Sequence, residues 1–339
     1  MNNIVITGGG TGGHLSVAKA FMEELNKRGI YPIFIGSTSG QDRDWFENED
    51  GFSKKYFLES KGVVNQKGFK KIKSLLDILK LSYRCKEIFK ANSIKAVISV
   101  GGYSAAPASL ASIFLKTPLF IHEQNAIKGR LNQILTPFAK RVFCSFLPPS
   151  DPYPTRDIFF QKKRVRSKIK RVIFLGGSQG AVEINDFALS IAKELNSLGI
   201  EIIHQSGKRD FKRVKKAYEN LGLKVNLFDF DKNIVDKIQK ADFAISRAGA
   251  STLWELAANA LPTLFFPYPY AAKNHQEANA RFLVDKKAAF LFEKERRKEK
   301  FLKLLKKDIS TYSQNLINLT KKDGAKKIVD EILNPNIIN

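Results

Sequence analysis

The chain is short of cysteine. Its 339 residues include two, Cys85 and Cys144. They form no Cys-x-x-Cys pair and no disulfide framework, so a reducing cytoplasm is the default compartment. Acid is scarce too: 33 Asp and Glu stand against 57 Lys and Arg, a net charge of +24. Such an excess favours an anionic partner (nucleic acid, an acidic membrane surface or a phosphorylated substrate) without choosing among them. No basic-plus-apolar signal segment opens the chain. No apolar run is long enough to span a bilayer, because the most apolar stretch, Ala105–Ile121, is broken by Pro107, Lys116 and Pro118. The expectation is a soluble protein, or one that lies on a membrane. Apolar residues make up 43%, as in globular proteins. The length suits two domains, each with its own core.

What is abundant is glycine at strand ends. Ile4-Val5-Ile6-Thr7 runs into Gly8-Gly9-Gly10-Thr11-Gly12-Gly13-His14, and a helical segment follows from Leu15 to Lys27. A glycine turn feeding a helix N-terminus offers unpaired N–H groups and the positive end of the dipole, which suits a phosphate. No Gly-Lys-Ser/Thr follows, so this is not a P-loop. A dinucleotide site wants an acid at the end of the second strand. Tyr31–Ile35 ends instead in Gly36-Ser37-Thr38-Ser39, with Asp42 too deep in the loop. A tight turn with a surface histidine is the plainer alternative.

Strand and helix alternate from there on, the pattern of an α/β protein. Lys61–Lys90 carries nine basic residues and two acids. Within it Ile72, Leu75, Leu76, Leu79 and Tyr83 fall at helical spacing among Lys67, Lys70, Lys71, Lys73, Lys80 and Arg84, with Phe69 beside the lysines. A core-facing helix with solvated lysines fits this pattern and is preferred for the helix alone. A basic amphipathic helix on an anionic membrane fits it also. Strand Ala96–Val100 enters a second glycine turn, Gly101-Gly102-Tyr103 through Pro107, and parallel strand ends open on one crevice. Strand Pro118–Ile121 ends in His122-Glu123-Gln124-Asn125, where His122 reads equally as structural or ligand-binding and Asn125 as substrate-binding. Four prolines in Leu147–Pro154 mark an interdomain linker, and the basic run Lys162 to Arg171 reads as its solvated exterior.

The second half repeats the first. Strand Arg171–Leu175 enters Gly176-Gly177-Ser178-Gln179-Gly180-Ala181 and a helix from Val182 to Leu195. Strand Phe243–Ser246 enters Arg247 through Glu255, where Ser251 or Thr252 is placed to cap a helix. Glu255 reads either as a carboxylate for a vicinal diol such as a ribose or as compensation of the helix dipole. Pro267-Tyr268-Pro269-Tyr270 followed by Asn274-His275-Gln276 has the makings of a sugar site. A last amphipathic helix is expected over about Gln314–Leu333.

Five stretches, in order from residue 4 to about 290, carry a resemblance: the first glycine loop to His14, Gly101 to Pro107, His122 to Asn125, Gly176 to Ala181, and Arg247 to Glu255 with Leu261-Pro262 and His275 to Asn279. Together they resemble the MurG family of glycosyltransferase family 28. The resemblance implies a GT-B fold, two Rossmann-like domains facing each other across a cleft. The expected division is 1–147, a linker 148–170, and 171–313, with a helix at about 314–339 packing back on the first domain. The implied reaction moves N-acetylglucosamine, with inversion, from UDP-N-acetylglucosamine to undecaprenyl-diphosphate-N-acetylmuramoyl-pentapeptide (lipid I), giving lipid II for peptidoglycan. A GT-B transferase acting on another polyprenyl or glycolipid acceptor would carry the same donor motifs.

Carried over residue by residue, His14 is the general base. Thr11, Gly12, Gly13, Asn125, Arg156, Ser178, Asp231, Ala250, Ser251, Thr252, Glu255, His275 and Gln276 bind the donor, with Glu255 on the ribose. Gly12, Gly13, Gly102 and Tyr103 hold the acceptor diphosphate. The chain departs from the family at Leu15-Ser16-Val17, where a proline is usual, and at Pro152-Tyr153-Pro154, where Gly-Asn-Pro usually precedes the arginine. No cofactor, protein-bound metal or nucleic acid is implied. The implied setting is peripheral, on the cytoplasmic face of the inner membrane, with an anionic lipid surface and other cell-wall synthesis proteins as partners. On that reading the Lys67–Arg84 stripe becomes the membrane patch.

Overall fold

A computed structural model describes residues 3–62, 68–177, 180–231 and 233–334, with the backbone alone at 69–71. Lys67 and Ser178, and the side chains of Phe69, Lys70 and Lys71, thus lie outside the described residues. The chain forms two compact units: Met1–Arg156 with Lys322–Asn339, and Asp157–Lys321.

The first unit is a sheet of β1 (Ile4–Thr7), β2 (Ile33–Ser37), β3 (Lys54–Leu58), β4 (Ala96–Ser99), β5 (Leu119–Glu123) and β6 (Arg141–Cys144). All neighbours are parallel, in the order β3-β2-β1-β4-β5-β6. Its helices are α1 (Gly12–Asn26), α2 (Asp42–Phe46), α3 (Phe69–Ala91), α4 (Ala106–Phe114) and α5 (Arg130–Leu135). Helices cover both faces of such a sheet, so its strands bury every residue. Accordingly β1, β2, β4 and β5 are buried throughout.

The second unit has β7 (Arg171–Leu175), β8 (Glu201–Gln205), β9 (Asn226–Phe228), β10 (Phe243–Ser246) and β11 (Thr263–Phe265), parallel in the order β11-β10-β7-β8-β9. Around them lie α6 (Val182–Ser197), α7 (Phe211–Asn220), α8 (Ile234–Lys240), α9 (Ala250–Ala258), α10 (His275–Val284), α11 (Arg297–Leu304) and α12 (Ser310–Leu319). The chain then returns to the first unit as α13 (Gly324–Ile332).

Three expectations change. The single helix expected over 314–333 is two, because Thr320 leaves the helical region at φ −94°, ψ 136°. They belong to different units: α12 stays with the second, and α13 packs on α1, where Arg28 meets Asp330 at 2.8 Å. The run read as a solvated linker exterior is partly core. Phe159, Arg166 and Ile169 are buried, and 157–170 belongs to the second unit.

The third change concerns α3. Its core face is Ser74, Ile78, Ser82, Cys85 and Phe89, all buried. The apolar residues that pointed to a core-facing helix lie outside instead, with Ile72 57%, Leu76 59% and Tyr83 63% exposed. Small side chains line the buried face because α3 lies close against α4, itself rich in alanine and serine. Among the described residues no helix is long and apolar enough to cross a membrane.

Candidate active site

In each sheet the strand order reverses once, between β1 and β4 and between β7 and β10. Ligands of open α/β sheets bind beyond the strand C-termini at such a switch point. The glycine motifs sit there, in both units.

In the first unit the two glycine turns interlock. Gly9 N donates to Gly101 O at 3.2 Å. A Cβ on Gly8 would collide with Gly101 O, and one on Gly102 with Gly9 O. Both residues have positive φ, +126° and +79°, so glycine is required for conformation as well as space. Thr11 is the N-cap residue of α1, and Gly12 and Gly13 form its first turn. The Thr11 hydroxyl is spent on His14, 2.9 Å from Nδ1, rather than on the helix end. The opposite edge of the imidazole faces the second turn: a Cβ on Gly101 would stand 3.5 Å from His14 Nε2. Tyr103 braces the loop between β2 and α2, donating its hydroxyl to Ser39 O at 2.5 Å.

The polar end of β5 resolves into distinct roles. His122 is structural, 1% exposed, with its ring edge-on to Phe21 and Tyr153 at 5.8 and 5.3 Å. Burial, with the nearby His14 charge, lowers its pKa to about 3. Glu123 organises the following loop by accepting Asn125 N and Gly129 N at 3.0 Å and Asn132 Nδ2 at 2.8 Å. That fixes the backbone of Asn125, which is half-buried. Arg156 pairs with Glu23 of α1 at 2.9 Å.

In the second unit Gly176 N donates to Gln205 O, and Gly180, at φ +83°, lies against Ser206 O. Behind this loop Asn185 donates to Ser206 O at 3.1 Å and Asp210 at 2.7 Å. Its oxygen therefore accepts His204 Nε2–H, and His204 Nδ1 accepts the Tyr218 hydroxyl. Burial lowers the His204 pKa to about 3.

Helix α9 is capped by neither Ser251 nor Thr252. Its N-cap is Gly249, and those two residues stand inside the first turn. Thr252 and Glu255 are half-buried on one face, one helical turn apart, while Ser251 is buried. Asn279 holds the loop before the helix, donating to Ala248 O at 3.1 Å. His275 opens α10 and donates Nδ1–H to Ala272 O at 2.9 Å, which leaves Nε2 as the acceptor. Gln276 Oε1 accepts Tyr268 N, so the aromatic-proline turn is tied to α10. Asp231 is bound within its own loop, to Asn233 N and Lys237.

Two positioning groups escaped the residue-by-residue reading. Asp42, set aside for want of reach to a ribose, turns inward and accepts Gly10 N. Arg247 joins Glu183 of α6 to the carbonyl oxygens of Phe266 and Pro267. Burial alone would raise the Glu183 pKa, but Arg297 and Arg247 together hold it below the usual range. The basic residue at the end of β10 was the available signal.

The glycosyltransferase family 28 N-terminal domain model matches residues 4–144, and the C-terminal domain model residues 171–332. A UDP-N-acetylglucosamine--N-acetylmuramyl-(pentapeptide) pyrophosphoryl-undecaprenol N-acetylglucosamine transferase of a Nitratiruptor species is 54% identical, over 97% of this chain and 98% of its own. A protein of the same name from Campylobacter jejuni subsp. jejuni (strain 81-176) is 52% identical over 98% of each chain. Among solved structures, MurG of Acinetobacter baumannii aligns with a TM-score of 0.77 at 25% identity, covering 98% of this chain and 99% of its own. A UDP-GlcNAc 2-epimerase from Neisseria meningitidis shares the fold, with a TM-score of 0.65 at 14% identity over 98% of this chain and 100% of its own. One domain model fits each sheet, and the relatives run nearly the full length: the chain belongs to glycosyltransferase family 28 and has its GT-B fold of two Rossmann-like units.

Proposed function

We propose that the chain transfers N-acetylglucosamine from UDP-N-acetylglucosamine to the muramoyl 4-hydroxyl of lipid I, giving lipid II with inversion at the anomeric carbon. The observation that carries this reading is 54% identity, along 97% of the chain, to a relative bearing that activity in its name.

The chemistry is a single displacement. The acceptor oxygen forms the new bond to the anomeric carbon as the bond to the β-phosphate oxygen breaks. The negative charge leaves on UDP, and the acceptor proton goes to His14. For that role Nδ1 donates to Thr11, 2.9 Å away, and Nε2 carries the lone pair. The first turn of α1, at Gly12 and Gly13, and the loop at Gly102 and Tyr103 hold the acceptor diphosphate. In the second unit Ala250, Ser251 and Thr252 receive the donor phosphate at the N-terminus of α9, and Ser178 is assigned to the same diphosphate by its motif alone. Glu255 takes the ribose hydroxyls, Asp231 borders the uracil through its backbone, and His275 and Gln276 bind the sugar. Thr11, Asn125 and Arg156 complete the donor set.

A lipid-linked acceptor brings the enzyme to the cytoplasmic face of the inner membrane. Helix α3 suits that surface: Ile72, Leu75, Leu76, Leu79 and Tyr83 are exposed among Lys73, Lys80 and Arg84. Each lysine near an anionic surface contributes about 1 kcal/mol, screened by salt. Leu76→Glu should weaken binding to anionic vesicles and spare UDP affinity.

The test is transfer of radiolabelled N-acetylglucosamine from its UDP donor to lipid I with EDTA present. Labelled disaccharide-lipid is expected. UDP-N-acetylglucosamine binding without transfer of label would remove the acceptor, and absent donor binding would remove the reading as a whole. Glu255→Ala should weaken UDP binding tenfold or more, the loss of a charged hydrogen bond of about 1.5–3 kcal/mol.

A further inference from the structure

The reaction as described leaves unused a carboxylate directly behind the first glycine loop. Asp42 opens α2 and is 0% exposed. Its two oxygens accept Gly10 N at 2.5 Å and Ser37 N at 2.7 Å. The fit leaves no slack: a Cβ on Gly9 would stand 2.5 Å from either Asp42 oxygen, and one on Gly36 2.8 Å from Oδ2. The same β2–α2 loop is pinned a second time, by Tyr103 donating to Ser39 O. Gly40 completes the contact, since a Cβ there would stand 2.8 Å from both Gly10 O and the Tyr103 hydroxyl. Three loops, after β1, β2 and β4, therefore close on one another around Asp42 and Tyr103.

A run of glycines has no side chains to hold its own path. A loop that receives an anion on backbone N–H groups works best when those groups are fixed beforehand. Asp42 fixes this one from its inner side, through the Gly10 N–H. We propose that Asp42, acting with Tyr103, is a positioning residue that pre-sets the first glycine loop for the acceptor diphosphate. The inference rests on the assignment of that loop to the acceptor.

The test uses the full chain, with inorganic pyrophosphate and UDP as separate calorimetric probes and lipid I as the kinetic one. Asp42→Asn keeps size and one acceptor oxygen but sets an NH2 group against a backbone N–H. It should raise the pyrophosphate Kd and the lipid I KM at least tenfold, with UDP Kd changed less than twofold. Tyr103→Phe removes only the hydroxyl and should act in the same direction with an unchanged melting temperature. The double variant should lose less than the product of the two, because both act on one loop. Where Asp42→Asn fails to fold, Asp42→Ser, smaller and uncharged, is read in the same way. Wild-type pyrophosphate affinity and lipid I KM in the folded variants would overturn the role of Asp42. Pyrophosphate and UDP affinity falling in step would do so as well. A wild-type chain that binds UDP but not pyrophosphate would remove the acceptor assignment and this inference with it.

Discussion

Gly102 lies so close against Gly9 that a Cβ on it would run into the Gly9 carbonyl oxygen. The contact joins turns more than ninety residues apart in sequence and makes one surface of them. Gly102→Ala must also place alanine at φ +79°, a backbone region that costs about 1–3 kcal/mol for such a residue. The variant should unfold at lower denaturant and show a raised KM for lipid I, with UDP affinity retained. An unaltered lipid I KM would mean that the interlock serves stability alone.

His14 Nδ1 lies 2.9 Å from the Thr11 hydroxyl, and the proposed proton transfer rests on that pair. His14→Ala should lower kcat by about 10²–10⁴-fold, the usual share of a general base, and leave UDP binding as it is. Thr11→Val removes the partner of Nδ1 and should give a smaller loss of kcat. Stopped single-turnover reactions separate these effects from product release. Full turnover in His14→Ala would assign the base elsewhere.

Each unit buries one histidine whose pKa falls to about 3, His122 in the first and His204 in the second. Both fold uncharged, whereas the unfolded chain takes up their protons near the ordinary value of 6.5. Protons therefore favour the unfolded state, and stability is lost as pH falls from about 6.5 toward 3. The slope is about 1.4 kcal/mol per pH unit for each histidine within that window. Urea titrations at pH 7 and pH 5 should show the loss, and His122→Phe should roughly halve it, since His204 remains. Equal stability at both pH values would contradict the burial of neutral imidazoles.

Arg166 is a rivet of the second unit. At 1% exposure it donates to the carbonyl oxygens of Ala241, Arg164 and Asn259 and to the Asn259 side chain. Burial, with the charge of Arg164, lowers its pKa to about 9. Arg166→Met leaves several buried acceptors without a donor, each costing about 1–3 kcal/mol. Calorimetry should show the transition of the second unit falling well below that of the first. A coincident shift of both would make Arg166 a residue of the whole chain rather than of one unit.

The architecture and the loops were legible because their signals are local. A strand of four β-prone residues followed by glycines gives a βα turn at Gly8 and again at Gly176. Thr252 and Glu255 share a helix face by spacing alone. Arg166 was not legible: its partners lie 75 and 93 residues on, and nothing near it distinguishes it from the solvated Lys162 and Lys163. Asp42 looked idle for the same reason, since its purpose depends on Gly10, 32 residues earlier. On α3 the periodicity was read correctly as helical, but a helix with serine and cysteine inward does not announce its buried side.

The second unit is one unbroken segment, Asp157–Lys321, whereas the first is closed by α13, which follows it in the chain. During synthesis the second unit can therefore be complete while the first still waits for its last helix. Until then the side of α1 that packs on α13 is uncovered, and Arg28 lacks its pairing with Asp330. The helix that carries His14 is therefore among the last parts of the protein to reach its final packing, although it is among the first to be made.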